Sequence, residues 1–415
     1  MKKKLKLKKS GLYIILLFIS VITFNFSFKL PKKITPIKMD WNNYPKELTY
    51  IFNYNNYVKT KEEIPIYDEN IKVIGTINKN VDLELDNVFL NNNKMFFRIK
   101  NLNYYIEPSN IEKISEFNKN KRFKKYIVFN KNVTTKDKTT FYNENGYAYK
   151  INKSINLPLI IKDDDKYYVE FNNELLYVKK DDSSLVDSNN TKEKTRTNIR
   201  TLTYHAIYKD GEECKNKSIC HPYKQFNEHM KYLKDNNYLT LTMEELEMFL
   251  DKKINIPNKS IVITLDDGNL AQNAIEILDK YELNATYFII TGRYDSYKLK
   301  TKYVDYESHT DNLHNNYKCP GGNQGGQLLC EKEDVILNDL KTSQEKLGGS
   351  KYISYPFFDY NDRAINLLKK SGFHLAFVGQ ANSDGYSTYN TDRFKIRRKT
   401  IFATDSLEKF KSYLK

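Results

Sequence analysis

Two adjacent aspartates close an apolar run, Ile261-Val262-Ile263-Thr264-Leu265-Asp266-Asp267-Gly268. Like charges raise one another's pKa, so paired carboxylates at a strand end call for a positive partner. A divalent metal answers that: one aspartate ligates the cation while the other, kept ionised beside it, takes a proton from water. Gly268 lets the chain turn sharply past the strand. An acidic turn capping a helix has the same sequence, so the tripeptide alone leaves both readings open.

A second element is Ser308-His309-Thr310-Asp311-Asn312-Leu313-His314, directly after Tyr303-Val304-Asp305-Tyr306-Glu307. Residues five apart do not share a helix face, so the two imidazoles converge only if the first ends a strand and the second lies beyond a turn. Two imidazoles and one aspartate leave positions for water and substrate, which is the donor set of a catalytic rather than a structural zinc. The other histidines earn no chemistry from sequence: His229 lies in a helix as a surface or packing residue, His374 begins a strand, and His221 sits beside Cys220 and Pro222 in a loop able to fold over the site.

From Arg200 onward, strands alternate with helices, which predicts a parallel sheet or barrel. TLTYHAIY, IVITL, ATYFII, YVDYES, YISYP and LAFVG read as strands; Gln225 to Lys234, AQNAIEILDKY, EDVILNDLKTSQEKL and YNDRAINLLKKSG read as helices. Upstream, IPIYDENIKVIGTINK to NYYIEPSNI and TTFYNENGYAYKINK to LLYVKKDDS resemble each other at an offset of about 75 residues, and their short alternating runs between Asn, Asp and Gly turns predict small β-barrels. Residues 184–199, rich in Ser, Asn, Thr and Lys, read as a linker.

The N-terminus adds a compartment. Six lysines stand in the first ten residues, and Leu12 to Phe28 is mostly apolar, near the lower limit of a membrane span at roughly 17 residues. Residues 1–28 are therefore expected to anchor the chain with its bulk outside the cell, or to be cleaved as a signal peptide if the protein is secreted. Cys214, Cys220, Cys319 and Cys330 form two close pairs in polar loops, candidates for disulfides that export permits, with connectivity open. The net charge of +15 is scattered along all segments rather than gathered in a stripe, which argues for a solvated surface and against a nucleic-acid partner.

Thr264 to Gly268, the His309/His314 pair, Tyr355-Pro356-Phe357-Phe358-Asp359 and Tyr204-His205 resemble the polysaccharide deacetylases of carbohydrate esterase family 4, over roughly Arg200 to Lys415. The histidine spacing and the Tyr-His element are similar to the branch acting on poly-N-acetylglucosamine. The resemblance implies a distorted (β/α) barrel at 200–415. It also implies Asp266 as general base, His205 as general acid, and Asp267, His309 and His314 as ligands of a divalent metal, zinc first. Phe357 would supply an oxyanion N–H in a groove shared with Tyr355 and Pro356. The family's Arg-x-Pro-Tyr-Gly corresponds to Ser354-Tyr355-Pro356-Phe357-Phe358, so the base-orienting arginine is missing there, and Arg397 or Arg398 is expected to replace it in space. If Cys319 and Cys330 pair, CPGGNQGGQLLC becomes a stapled lip over the site. Segments 45–115 and 120–183 resemble bacterial SH3-like domains, which implies a cell-wall partner or a spacer. The expected reaction is hydrolytic N-deacetylation of an N-acetylglucosamine polymer, poly-N-acetylglucosamine or peptidoglycan. An inactive wall-binding scaffold and a deacetylase of another glycan such as acetylxylan are the alternatives.

Overall fold

The computed structural model describes residues 57–414 apart from 92–93, 118–120, 192, 215 and 381–382. The expected membrane segment, 1–28, lies outside the described residues, among which no helix is long and apolar enough to cross a membrane.

Seven parallel strands close into a barrel: β1 (Asn198–Tyr204), β2 (Ser260–Asp267), β3 (Ala285–Ile289), β4 (Val304–Ser308), β5 (Tyr352–Ser354), β6 (Leu375–Gln380) and β7 (Ile396–Thr400). Closure comes from β1, which pairs in parallel with β2 and with β7. Between β4 and β5 the register is a single pair, Ser308 with Ile353. β2 is buried at seven consecutive positions, as a parallel strand covered on both faces must be.

The helices are α1 (Tyr223–Asp235), α2 (Met243–Leu250), α3 (Ile275–Tyr281), α4 (Glu333–Lys346), α5 (Asp362–Lys370) and α6 (Leu407–Ser412). Sequence reading missed α2, although Thr242 and Glu245 form a capping box at its start, a signal that four residues carry locally. Alternate residues of β2 feed different cores. Ile261, Ile263 and Leu265 pack with Phe226 of α1 and Ile277 of α3. Val262 joins Phe288, Phe377 and Ile396 from three other strands, with Leu246 and Phe249 of α2. The second cluster fills the barrel interior, and the first seats its helices. A third cluster, with Ile336, Leu340, Ile353, Ala364 and Leu368, seats α4 and α5.

Residues 121–136 and 155–187 belong to the same compact unit as the barrel. Ile127 bridges to Asn255, and Arg122 pairs with Glu245 while donating to the Thr240 carbonyl at 2.6 Å. Part of the expected linker is structured: Ser183–Asp187 pairs with Lys131–Thr135, and β1 begins at Asn198.

The other compact unit holds described residues up to 117 together with 137–154. It is antiparallel throughout. The opening segments of the two repeats appear in it as hairpins, Ile64–Tyr67 with Val73–Ile77 and Thr139–Asn143 with Gly146–Ile151, while the second repeat's remainder from Ile155 lies in the barrel's unit. Asp68 and Asn143 set their turns by accepting from backbone N–H groups two residues on. The hairpins also pair with each other, Tyr149 opposite Ile77. A Cβ at Gly75 would lie 2.0 Å from the Lys150 carbonyl oxygen, so this edge needs glycine.

Candidate metal centre and active site

The strand ends gather the chemistry. Asp266 and Asp267 end β2, His309 follows β4, Ser354 ends β5 and His205 follows β1, all on the C-terminal rim where parallel barrels place their sites.

Asp267 Oδ1 lies 3.3 Å from His309 Nε2 and 3.1 Å from His314 Nε2. One ligand atom from each residue falls within 4.8 Å of the others. His309 Nδ1 donates to the Ser354 carbonyl at 2.8 Å, which turns Nε2 towards the Asp267 carboxylate. A fixed Nδ1–H is the usual orientation device of a metal-bound imidazole. Burial holds the His314 pKa below its ordinary value, which keeps its ring an uncharged donor. For Asp267, burial pushes the pKa up, but hydrogen bonds with His309 and His314 outweigh it and hold the carboxyl well below the usual range. Asp267 and Thr310 both adopt positive φ, 78° and 68°, a local strain that aims the ligands. The residues present fit a divalent metal.

Asp266 is 1% exposed and is gripped by Arg398, with Nη1 to Oδ1 at 2.7 Å and Nη2 to Oδ2 at 2.8 Å. Ser354 donates to Oδ2 at 3.0 Å and accepts from Arg398 Nη2 at 2.7 Å. Burial would raise the Asp266 pKa; Arg398, then His309, reverse that and hold it low. The guanidinium is itself fully buried, among the rings of Phe288, Phe358 and Phe377 at 5.7, 5.3 and 6.0 Å. Arg398 therefore occupies the orienting place that Ser354 leaves open, whereas strand alternation turns Arg397 outward to solvent. His205 acts electrostatically on both aspartates, and its Nδ1 is buried without a hydrogen-bond partner among the described residues.

Phe357 and Phe358 take φ of 59° and 61°. Phe358 thus keeps the left-handed backbone that glycine serves in the family pattern, and its ring needs Gly379 opposite, where a Cβ would lie 2.7 Å away. Phe357 packs on His314 with ring centroids 4.2 Å apart. Tyr355 and Pro356, expected along the groove, are buried; the Tyr355 hydroxyl donates to the Phe394 carbonyl at 3.1 Å.

Both cysteine pairs close within their loops, Cys214 with Cys220 and Cys319 with Cys330. The second loop is fixed by buried Asp359, which accepts from the backbone N–H of Asn323, of Gln324 at 3.1 Å and of Gly326 at 2.8 Å. Gly322, at φ +70°, would put a Cβ 2.4 Å from that carboxylate. Sequence reading placed Asp359 in the Tyr355 to Asp359 motif without giving it a role, and it missed Tyr294, whose ring would lie 1.9 Å from a Cβ on Gly268. His221 does not reach over the site: it is fully buried, with Nε2 donating to the Ile401 carbonyl at 3.0 Å. His229 is also fully buried, stacked on Phe410, and His374 pairs with Glu247 at the surface.

Residues 253–376 match the family model described as polysaccharide deacetylase. The chain is similar to the poly-β-1,6-N-acetyl-D-glucosamine N-deacetylase of Staphylococcus aureus, 31% identical over 193 residues that make up 41% of this chain and 64% of that protein. The chain thus spans just under two thirds of the length of that relative. Among solved structures it is similar to the Streptococcus pyogenes deacetylase PplD in complex with acetate, at 21% identity and a TM-score of 0.43, covering 52% of this chain and 98% of that one. It is also similar to a polysaccharide deacetylase from Bacillus cereus, at 19% identity and a TM-score of 0.43, covering 78% of this chain and 95% of that one.

Proposed function

We propose that this chain, which carries a polysaccharide deacetylase domain, hydrolyses N-acetyl groups from an N-acetylglucosamine polymer of the cell exterior and releases acetate. The observation that carries the reading is the convergence of Asp267 Oδ1 and the two histidine Nε2 atoms beside a carboxylate that Arg398 holds ionised. Asp267, His309 and His314 would hold the metal, with zinc favoured by two imidazoles and one carboxylate. When bound, a divalent cation acidifies water and polarises a carbonyl oxygen.

Asp266 is assigned the general base. Its Arg398 pair keeps it unprotonated at neutral pH, although both its oxygens already accept hydrogen bonds. His205 is assigned the general acid: amide cleavage needs the leaving amine protonated, and an imidazole does so near neutral pH. The backbone N–H at Phe357 is assigned to the tetrahedral oxyanion, a role that needs no side chain. The similarity to the Staphylococcus aureus enzyme favours poly-β-1,6-N-acetylglucosamine as substrate.

The same reading places residues 1–28 as a membrane anchor with the remainder outside the cell. It takes the two N-terminal β segments as SH3-like modules that contact the cell wall. The test is acetate release from poly-β-1,6-N-acetylglucosamine, peptidoglycan and acetylxylan in parallel. The wild-type chain should act best on the first, and Asp266→Asn should lose at least about a hundredfold in rate. Equal acetate release by wild type and Asp266→Asn on every polymer would remove the enzyme reading and leave a wall-binding scaffold.

A further inference from the structure

The segment that carries both histidines has little apolar anchorage of its own. From Thr310 to His314, Leu313 supplies the buried apolar side chain, while Thr310 and Asp311 are buried and polar. Its shape is set by one stripe of α4. Asp339, Ser343 and Lys346 stand at i, i+4 and i+7, a single helix face. Each meets the segment differently. Asp339 spans two consecutive peptides, Oδ1 accepting from Asp311 N–H at 2.8 Å and Oδ2 from Asn312 N–H at 2.7 Å. The Ser343 hydroxyl meets the Ser308 hydroxyl at 2.8 Å, and Ser308 Oγ accepts from Thr310 N–H at 3.1 Å. Lys346 Nζ reaches Asp311 Oδ1 at 2.6 Å, the same oxygen that takes the Thr291 hydroxyl at 2.6 Å. Asp311 Oδ2 accepts from the Asn312 side chain at 2.8 Å.

The sequence offers a reason for such a device. Thr310 must hold φ +68° between two imidazoles that have to converge, and a β-branched residue resists that conformation. Two N–H groups presented side by side after a left-handed residue form an anion-receiving nest. The Asp339 carboxylate fills it, so α4 sets the turn.

We propose that Asp339, Ser343 and Lys346 are positioning residues, a polar jig on α4 that presets the His309 to His314 turn so that both Nε2 atoms face Asp267 before any ion arrives. This rests on the reading that Asp267, His309 and His314 hold a metal.

The test uses the full chain and two readouts. In the metal-free protein, Asp339→Asn should speed hydrogen exchange at the Asp311 and Asn312 amides at least about tenfold while β2 amides keep their protection. With Co²⁺ as probe, competition against a chelator should show affinity weakened about 10- to 100-fold, with a changed visible spectrum. Lys346→Met should weaken Co²⁺ similarly and Lys346→Arg should restore it; this pair serves equally if Asp339→Asn does not fold. Wild-type exchange rates and Co²⁺ affinity in both Asp339→Asn and Lys346→Met would overturn the jig while leaving the metal reading intact. Failure of the wild-type chain itself to bind Co²⁺ would overturn both.

Discussion

Replacing Arg398 with methionine isolates what holds the base carboxylate charged. Asp266 and Arg398 are 1% and 0% exposed and share two hydrogen bonds of 2.7 and 2.8 Å, so solvent does not screen the pair. Removing one partner of a buried ion pair costs about 3–5 kcal/mol. Neutralisation of Asp266 sets a ceiling: protonating a carboxyl of ordinary pKa near 3.9 at pH 7 costs about 4 kcal/mol. In the wild type the folded pKa is held low, so folded and unfolded states are both ionised between pH 5 and 7 and the group adds no slope there. In Arg398→Met burial prevails and the folded pKa rises. The folded state then binds the extra proton, and stability falls by up to about 1.4 kcal/mol per pH unit as pH rises above 3.9. Urea unfolding should therefore show the variant destabilised by about 4 kcal/mol at pH 7 but by only about 1.5 kcal/mol at pH 5. The acid limb of its pH–rate profile should move to higher pH, and Asp266→Asn in the same background should recover part of the stability. An equal loss at both pH values, with a pH–rate profile overlying that of the wild type, would refute this account of the pair.

Burial holds His221 and His229 down at about 4. Both must stay neutral to fold, so their contribution is whole above the unfolded pKa near 6.5 and shrinks towards pH 4, by about 2 kcal/mol each between pH 7 and 5. Unfolding at both pH values should show this slope, and His229→Phe, which keeps a ring on Phe410, should roughly halve it; an unchanged slope counts against the argument. Gly268→Ala should displace Tyr294 and cut kcat at least about tenfold through misplacement of the strand end. Adding Tyr294→Ala should recover most of the loss, and no recovery would mean that the clash lies elsewhere. Asp359→Ala leaves the backbone N–H groups of Gln324 and Gly326 without their acceptor and should cost about 2–3 kcal/mol. Limited proteolysis should then cut between Cys319 and Cys330; equal resistance in variant and wild type would show the loop to be held by other contacts.

The aspartate pair and the spaced histidines were legible because each follows a strand that the sequence marks, and strand ends of a parallel barrel share a rim. The choice of Arg398 over Arg397 was also present in the sequence, since Arg398 shares its strand face with Ile396, which lies in the barrel interior. The polar stripe of α4 was not: Asp339 and Lys346 read as ordinary surface charges until the fold brings β4's loop against them. The role of Asp359 was hidden for the same reason, its partners lying 33 to 36 residues away. Local turn chemistry at Asp68 and Asn143 announced the two repeat hairpins. Their pairing with each other depends on register across more than 70 residues, which periodicity does not encode.

The central claim is that Asp267, His309 and His314 hold a divalent metal that the reaction requires. It is tested most directly by stripping the chain with a chelator, adding Zn²⁺ in steps and following acetate release. The account predicts negligible release without metal, recovery that saturates at one equivalent per chain, and no recovery in Asp267→Asn. Full release from the stripped chain, or equal recovery in Asp267→Asn, would contradict it.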